Sequence, residues 1–266
     1  MTEKFLVEQI RKKKSYLCVG LDTDIDKIPR HLQSHPDRIF EFNKRIIDAT
    51  KNACIAYKIN TAFYEANGLK GWKAMEQTVN YIPPTHFKIA DAKRGDIGNT
   101  SSQYAKAFFE TLNFDAITVA PYMGSDSIKP FLEYENKWTI VLGLTSNAGS
   151  ADFQQQKMGD SFLYESVLKK VSQWGTKQNL MFVVGATKAS DLASIRKIIP
   201  DNFLLIPGVG AQGGSLADVS NYGMNENCGL LVNASRAIIY AGKDENFAEA
   251  AGKIAEEYQR EMMSYL

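Results

Sequence analysis

Three charged residues stand close together in the segment KIADAKRGDIGNT, residues 88–100. Asp91 and Lys93 end a short apolar run, and Asp96 follows them. Charges this dense are costly to bury unless they pair with one another. A fixed ammonium group between carboxylates can stabilise developing negative charge and can also deliver a proton. From Asp91 and Lys93 alone, an acid–base site and a structural ion-pair network are equally compatible with the sequence.

The chain must supply strands that end at these residues. Eight apolar, β-branched-rich runs recur along it: YLCVGLD from 16, ACIAYKIN from 53, HFKIADAK from 86, AITVAP from 116, TIVLGLTS from 139, LMFVVGAT from 180, FLLIPGVG from 203 and GLLVNAS from 229. Helical periodicity marks segments between them: PDRIFEFNKRIIDATKN from 36, SFLYESVLKKVSQW from 161 and KASDLASIRKII from 188. This α/β alternation predicts a (β/α)8 TIM barrel, a single domain over residues 1–266, with an open doubly wound sheet as the alternative.

Polar residues fall where such a barrel places reactive groups, at the carboxyl ends of its strands. The strand-end residues are Asp22, Lys58, Asn60, Asp91, Lys93, Thr145 and Ser146. Side chains alternate across a strand, so Asp91 and Lys93 share one face, as do Lys58 and Asn60 on the neighbouring strand. We expect these four side chains to converge.

The last two strands are followed by features that suit an anion. PGVGAQGG at 207–214 offers Gly208, Gly210 and Gly213, and NASRAI at 233–238 offers Arg236. Barrels of this kind often bind phosphate at these loops through backbone N–H groups and a short helix N-terminus. A glycine-rich turn alone, or a lone arginine, is little evidence for a phosphate site. Together, on the last two strands, they predict a phosphate site.

Composition narrows the range of partners and locations. The formal net charge is +1, and RKKK at 11–14 is the one basic block, so we expect no nucleic-acid partner. The sequence shows no cleavable leader and no apolar stretch of membrane-spanning length, which predicts no membrane association and a cytoplasmic protein. Cys18, Cys54 and Cys228 lie in separate apolar runs and are expected to be buried free thiols in a reducing compartment.

The chain also contains three histidines and one long segment rich in small and amide residues. His31, His35 and His86 have no metal-ligand spacing with one another or with the cysteines, so surface or helix-end positions are expected and no metal site is predicted. GLTSNAGSADFQQQKMG, residues 143–159, is either a plain surface loop or a lid that reads a polar ring. Its position after strand five favours the lid.

DAKRGDIGNT resembles the Asp-x-Lys-x-x-Asp-Ile-x-Asn-Thr signature of the orotidine 5′-monophosphate decarboxylase family. The landmarks GLDTD, YKINTAFYEANG, LTSNAGSADFQ, VVGAT, PGVGAQGG and NASRAI follow in the order of that family. The resemblance covers nearly the whole chain. It implies cofactor-independent decarboxylation of a nucleotide, in pyrimidine biosynthesis, by a homodimer whose sites are shared across the interface.

The resemblance also implies a role for each matching position. Lys93 would be the proton donor, Asp91 would face the substrate carboxylate, and Lys58 would order Asp91 and the ribose. Asp96 would enter the site of the neighbouring subunit. The remaining contacts would be to ribose from Asp22 and Thr100, to ribose or carboxylate from Asn60, to the pyrimidine edge from Ser146, and to phosphate from Gln212 and Arg236.

Two rival functions stay open. Hexulose-phosphate synthases and keto-gulonate-phosphate decarboxylases resemble this family in their Asp-x-Lys-x-x-Asp segment, but they use Mg²⁺ and carry an acidic residue on strand two. Here that strand offers Lys58 and Asn60, a poor set for a dication. A non-catalytic nucleotide-binding protein is the other rival, since fold alone does not exclude it.

Overall fold

The computed structural model describes residues 1–185, 189–209 and 214–266. Its strands are β1 (Leu17–Gly20), β2 (Ala56–Asn60), β3 (Phe87–Arg94), β4 (Ala116–Val119), β5 (Trp138–Leu144), β6 (Lys157–Met158), β7 (Ser161–Phe162), β8 (Leu180–Val184), β9 (Leu204–Pro207) and β10 (Leu230–Ala234). β6 and β7 form a separate antiparallel hairpin. The other eight strands close into a barrel in the order β1, β10, β9, β8, β5, β4, β3, β2.

Every neighbouring pair in the barrel is parallel. The predicted (β/α)8 barrel is therefore confirmed, and the alternative open sheet is wrong. Each of the eight apolar runs contributes one barrel strand. These strands are continuous apolar runs because helices cover them outside and side chains fill the barrel inside, so both faces are buried.

Helices surround the barrel. They are α1 (Glu3–Lys13), α2 (Arg38–Thr50), α3 (Ala62–Glu65), α4 (Gly68–Tyr81), α5 (Gly98–Lys106), α6 (Ser125–Leu132), α7 (Leu163–Val171), α8 (Ala189–Ile198), α9 (Leu216–Gly223), α10 (Arg236–Ile239) and α11 (Phe247–Met263). In α2, the spacing of Ile39, Phe42 and Ile46 gives one buried apolar stripe. Phe42 stacks on Phe247 at the start of α11, with ring centroids 5.0 Å apart, which joins the first and last large helices of the ring.

No helix within the described ranges is both long enough and apolar enough to cross a membrane.

Aromatic rings close the barrel at the amino ends of its strands. Trp138 packs edge-on against Phe87 and Phe203, with centroids 6.1 and 6.2 Å away. All three side chains are fully buried. We call these three residues the aromatic plug. The plug fills this end of the barrel interior with apolar rings.

The structure settles the expectations for cysteine and histidine. Cys18, Cys54 and Cys228 are buried and free, as predicted. His31 and His35 are exposed, also as predicted. The expectation for His86 is wrong, because it is buried at 3% exposure beneath the barrel, where its Nε2 lies 2.7 Å from Lys13 Nζ. A histidine at the start of a strand carries no sequence signal that separates this packing from an exposed position.

Candidate functional site

Four charged side chains form a chain of ion pairs at the carboxyl ends of β1, β2 and β3. Lys58 Nζ lies 3.0 Å from Asp22 Oδ1 and 3.1 Å from Asp91 Oδ2. Lys93 Nζ lies 2.6 Å from Asp91 Oδ1. We call Asp22, Lys58, Asp91 and Lys93 the charged tetrad. The predicted convergence of Asp91, Lys93 and Lys58 is thus present in the structure.

Strand register brings the tetrad together. Lys58 on β2 is the register partner of Gly20 on β1, and Asn60 is the partner of Asp91 on β3. Neighbouring strands lie about 4.8 Å apart, so side chains that point inward from them reach one another. The alternation of inward-pointing residues along β2 and β3 is therefore sufficient to bring Lys58 and Asp91 together.

The backbone at Lys93 departs from a regular strand. Its φ is +48°, in the left-handed region, and the register between β3 and β4 shifts between Ala90 and Arg94. Such a conformation costs a residue with a Cβ on the order of 1–3 kcal/mol. Thr118 on β4 holds the bend, since its Oγ1 accepts from Lys93 N at 2.9 Å and donates to Asp91 Oδ1 at 3.0 Å.

Charge balance in the tetrad fixes its protonation at neutral pH. Burial raises the pKa of the Asp91 carboxyl, but the ammonium groups of Lys58 and Lys93 outweigh it and lower the pKa to about 2. Burial lowers the pKa of Lys58, but Asp22 and Asp91 outweigh it, and the pKa lies above its usual value. Asp91 is therefore an anion and Lys58 a cation.

A cavity of about 160 Å³ opens beside the tetrad. Its lining includes Asp22, Lys58, Asn60, Asp91, Pro207, Gly208, Val209, Asn233, Ala234, Ser235, Arg236 and Ala237. The cavity thus reaches from the tetrad to the loops after β9 and β10. Lys93 is 51% exposed, so its ammonium group is accessible while its partner Asp91 is largely covered.

The predicted phosphate end of the cavity is described in part. Gly208 has a φ of +93°, which a glycine adopts without strain. Arg236 is exposed and begins α10, and Ser235 Oγ donates to Gly20 O at 3.0 Å. Both Gly208 and Arg236 line the cavity, as the phosphate prediction requires. The predicted residues Gly210, Gln212 and Gly213 lie outside the described residues.

Three other predicted residues lie away from the tetrad. Asp96 Oδ1 accepts from Ile97 N at 2.8 Å, and within the described ranges Asp96 forms no ion pair. Thr100 is exposed on α5, and Ser146 is half-buried after β5. The contact of Asp96 across a subunit interface, the ribose contact of Thr100 and the pyrimidine contact of Ser146 stay predictions.

A larger cavity of about 1350 Å³ lies at the other end of the barrel, between α1 and the turns that precede β5 and β8. Its charged lining residues are Glu3, Lys4, Glu8, Arg11, Lys12, Glu133, Glu135 and Lys177. Four acidic and four basic side chains balance there. We place the site at the smaller cavity, because convergent, perturbed charges mark a reactive site better than volume does.

Sequence reasoning missed three residues that support the site. Thr118 holds Asp91 and Lys93, but in AITVAP it is indistinguishable from an ordinary β-branched strand residue. Tyr240 donates its hydroxyl to Asp22 O at 3.1 Å and accepts from Asp24 N at 2.7 Å, a contact across more than 200 positions. Asn233 lines the cavity, and its place as a lone polar residue inside GLLVNAS was the available signal.

The fold and the site define a (β/α)8-barrel protein with a lysine–aspartate array at the carboxyl ends of its first three strands. The family model described as orotidine 5′-phosphate decarboxylase / HUMPS family matches residues 15–251. The chain belongs to this family.

Relatives and solved structures match this chain over nearly its full length. The chain is 62% identical to the orotidine 5′-phosphate decarboxylase of Christiangramia forsetii, covering 100% of this chain and 99% of the relative. It is 59% identical to that of Bacteroides fragilis, covering 100% and 98%. The structure resembles OMP decarboxylase from Leishmania donovani, with a TM-score of 0.85 at 37% identity over 99% of both chains. A Toxoplasma gondii structure titled putative orotidine-monophosphate-decarboxylase gives 0.86 at 35% identity over 98% of both.

Proposed function

We propose that this protein is an orotidine-5′-phosphate decarboxylase, a carboxy-lyase that converts orotidine 5′-monophosphate to uridine 5′-monophosphate in de novo pyrimidine biosynthesis. The family membership and the curated relatives near 60% identity support the activity. The observation that carries it in the structure is the accessible Lys93 ammonium group held 2.6 Å from a carboxylate that stays ionised.

The chemistry needs a fixed cation. When the bond between carbon six and the carboxylate breaks, its electron pair stays on carbon six, and CO₂ leaves. This carbanion has no adjacent carbonyl that delocalises it well, so localised negative charge must be stabilised electrostatically. Lys93 supplies that charge and then transfers a proton to carbon six, and its neutral amine regains a proton from solvent.

Asp91 has two roles in this proposal. It holds the Lys93 ammonium group, and it places a negative charge beside the departing carboxylate. Two unit charges about 4 Å apart at an effective dielectric near 20 repel by roughly 4 kcal/mol. Since the pKa of Asp91 is about 2, its carboxylate is ionised throughout the neutral pH range. Lys58 offsets part of it and keeps Asp91 and Asp22 in place.

The rest of the nucleotide would occupy the cavity. Asp22, Asn60 and Thr100 are proposed for the ribose, Ser146 for the pyrimidine edge, and Arg236 with the backbone after β9 for the phosphate. Binding energy from a phosphate remote from the reaction can assemble the site around the ring. The segment after β5, with its hairpin of β6 and β7, is proposed as the lid.

The test is the decrease in orotidine monophosphate absorbance when purified protein is added in the presence of EDTA. Turnover under these conditions supports the decarboxylase. No turnover of orotidine monophosphate, together with Mg²⁺-dependent turnover of a sugar phosphate, would favour the sugar-phosphate branch, although Asp91 offers its carboxylate to two ammonium groups rather than to a dication. Tight nucleotide binding without any turnover would indicate a binding protein.

A homodimer with shared sites is the second part of the proposal. Exposed apolar side chains follow β3, the strand before Asp96, and its neighbour β4: Ile97 after β3, and Tyr122 and Met123 after β4. Tyr122 is 93% exposed, which is unusual for a ring of that size. A second copy of the chain would cover these residues and carry Asp96 into the neighbouring cavity.

Mixing two inactive variants tests the shared site. If Asp96 serves the neighbouring subunit, a heterodimer of Lys93→Ala and Asp96→Ala has one site with both changes and one site with neither. Random re-pairing makes about half of the dimers mixed, so activity should recover to roughly a quarter of wild type. No recovery after verified subunit exchange would place Asp96 in the site of its own chain.

The cytoplasm is the location that we propose. Its support is the state of the cysteines, since Cys18, Cys54 and Cys228 are all buried free thiols. Fractionation of cells that express the protein tests this, and recovery with a secreted marker would contradict it.

A further inference from the structure

Asn233 has an unpaired polar atom in the wall of the cavity. The residue is 7% exposed, and among the described residues its Oδ1 has no hydrogen-bond partner. Leaving such an acceptor unpaired in a folded protein is energetically unfavourable. The position of Asn233 is fixed by the barrel rather than by a loop, since it lies within β10 and is the register partner of both Cys18 and Pro207.

The neighbouring strand leaves space for this side chain. A Cβ at Gly20 would lie 3.1 Å from Asn233 Oδ1 and 2.7 Å from Ser235 Cβ. Any larger residue at position 20 would therefore displace Asn233 or Ser235. The glycine on β1 thus accommodates a side-chain oxygen that has no hydrogen-bond partner among the described residues.

Lys58 offers the complementary group on the other side of Gly20. Its ammonium group has three N–H donors, and two of them bind Asp22 and Asp91. Lys58 is the register partner of Gly20, so Lys58 and Asn233 flank β1 from its two neighbours, β2 and β10. Both residues line the same cavity. A hydroxyl group between them would accept from Lys58 and donate to Asn233.

We infer that Asn233 is a specificity-determining residue that accepts a hydrogen bond from a sugar hydroxyl of the bound nucleotide. This rests on the proposed function, which supplies the ligand. The terminal torsion of an asparagine side chain is soft, so the amide can turn its oxygen to the cavity when a donor arrives. Asn233 thereby adds an acceptor on β10 to the ribose contacts proposed for Asp22 and Asn60.

The experiment compares the dissociation constants of uridine monophosphate and its 2′-deoxy and 3′-deoxy analogues for wild type and Asn233→Leu. Leucine has nearly the shape of asparagine but accepts no hydrogen bond. We expect uridine monophosphate to bind roughly tenfold more weakly to the variant. The analogue that lacks the contacted hydroxyl should bind both proteins equally, and the other analogue should lose the same tenfold.

Thr139→Val is the matched control. Thr139 is the second residue of β5, fully buried, and its Oγ1 also lacks a partner among the described residues. Both substitutions remove an unpaired buried polar atom, so neither should lower the melting temperature of the ligand-free protein. Only Asn233→Leu should change nucleotide binding.

Two results would overturn the inference. One is uridine monophosphate affinity of Asn233→Leu within twofold of wild type, and the other is an equal loss for all three nucleotides. Asn233→Ala serves if the leucine variant does not fold, with the same expected pattern. A wild-type protein that fails to bind uridine monophosphate would instead contradict the proposed function.

Discussion

A lysine is fully buried at one end of the barrel and another is half-buried at the other end, and their pKa values shift in opposite directions. At the carboxyl ends of the strands, Lys58 binds Asp22 and Asp91, and its pKa lies above the usual value. At the amino ends, Lys13 donates to Lys51 O at 2.6 Å and Cys54 O at 2.9 Å, and burial lowers its pKa. Burial lowers the pKa of both lysines, so the opposite net shifts come from their different partners.

The partners reflect what each end does. At the amino ends, two backbone carbonyls and the His86 ring hold Lys13 as a clamp between α1 and the barrel, and within the described ranges no carboxylate forms an ion pair with Lys13. Carboxylates at the other end make Lys58 part of a fixed electrostatic field. Burial and the nearby Lys13 cation together lower the pKa of His86 to about 4, so the ring is neutral at pH 7. The comparison teaches that a buried lysine at the carboxyl ends is paired with full negative charges, whereas the half-buried lysine at the amino ends is held by neutral acceptors.

Lys93→Ala should give the largest effect at the charged end. Removing both the fixed cation and the proton donor is expected to lower kcat by at least about 10³-fold, measured by the loss of orotidine monophosphate absorbance. Lys93 is half-exposed, so the melting temperature should stay close to that of wild type. Lys88→Ala, on the same strand, is the control and should keep kcat within about threefold. A Lys93→Ala variant that retains a tenth of wild-type kcat would exclude Lys93 as proton donor.

Lys58→Met should be the most destabilising change. It leaves Asp22 unpaired and Asp91 with Lys93 alone, at a cost of about 3–5 kcal/mol in the free energy of unfolding at pH 7. The deficit relative to wild type should shrink as the pH falls from 7 to 5, because Lys58 no longer lowers the pKa of Asp91. Denaturant unfolding at both pH values measures it. A deficit that does not change with pH would mean that lost packing, not charge, is responsible.

The two ends should lose stability in different pH windows. His86 has a folded pKa of about 4, below its unfolded value of about 6.5, so its neutral form stabilises the fold above pH 6.5 and this is lost as pH falls to 4. The loss is roughly 3 kcal/mol. Asp91, with a folded pKa of about 2 and an unfolded value near 3.9, loses its contribution only as pH falls from about 4 to 2.

His86→Gln separates these windows. The variant should show a flat free energy of unfolding between pH 6.5 and 4, apart from other titrating groups, while the decline below pH 4 remains. If wild type and His86→Gln lose stability in parallel between pH 6.5 and 4, the buried ring does not titrate as described.

Lys13→Met should give the smallest effect. It leaves the carbonyl of Cys54 without its Lys13 donor and the carbonyl of Lys51 with His86 Nε2 alone, 2.8 Å away, at about 1–3 kcal/mol of unfolding free energy. Because the Lys13 cation lowers the pKa of His86, that pKa should rise in the variant, which NMR titration of the ring measures. Unlike Lys58→Met, this variant should keep wild-type kcat. A large loss of kcat would mean that the two ends are coupled.

Much of the fold was predictable because its signals are local. Fully buried parallel strands read as continuous apolar runs, and all eight were recognisable, together with the polar residues that follow them. The wrong expectation for His86 arose because burial of one polar residue depends on a partner, Lys13, that lies 73 positions away. Thr118 and Tyr240 were missed for the same reason. The single domain over residues 1–266 and the ligand contacts of the site residues stay predictions.

The left-handed backbone of Lys93 makes stability and activity favour different residues at position 93. Glycine, and to a lesser degree asparagine, adopts a φ of +48° more readily than lysine does. In a library randomised at position 93, selection for folding alone should therefore enrich glycine. Selection for growth without added pyrimidine should return lysine, so the two selections would drive the same position to different residues.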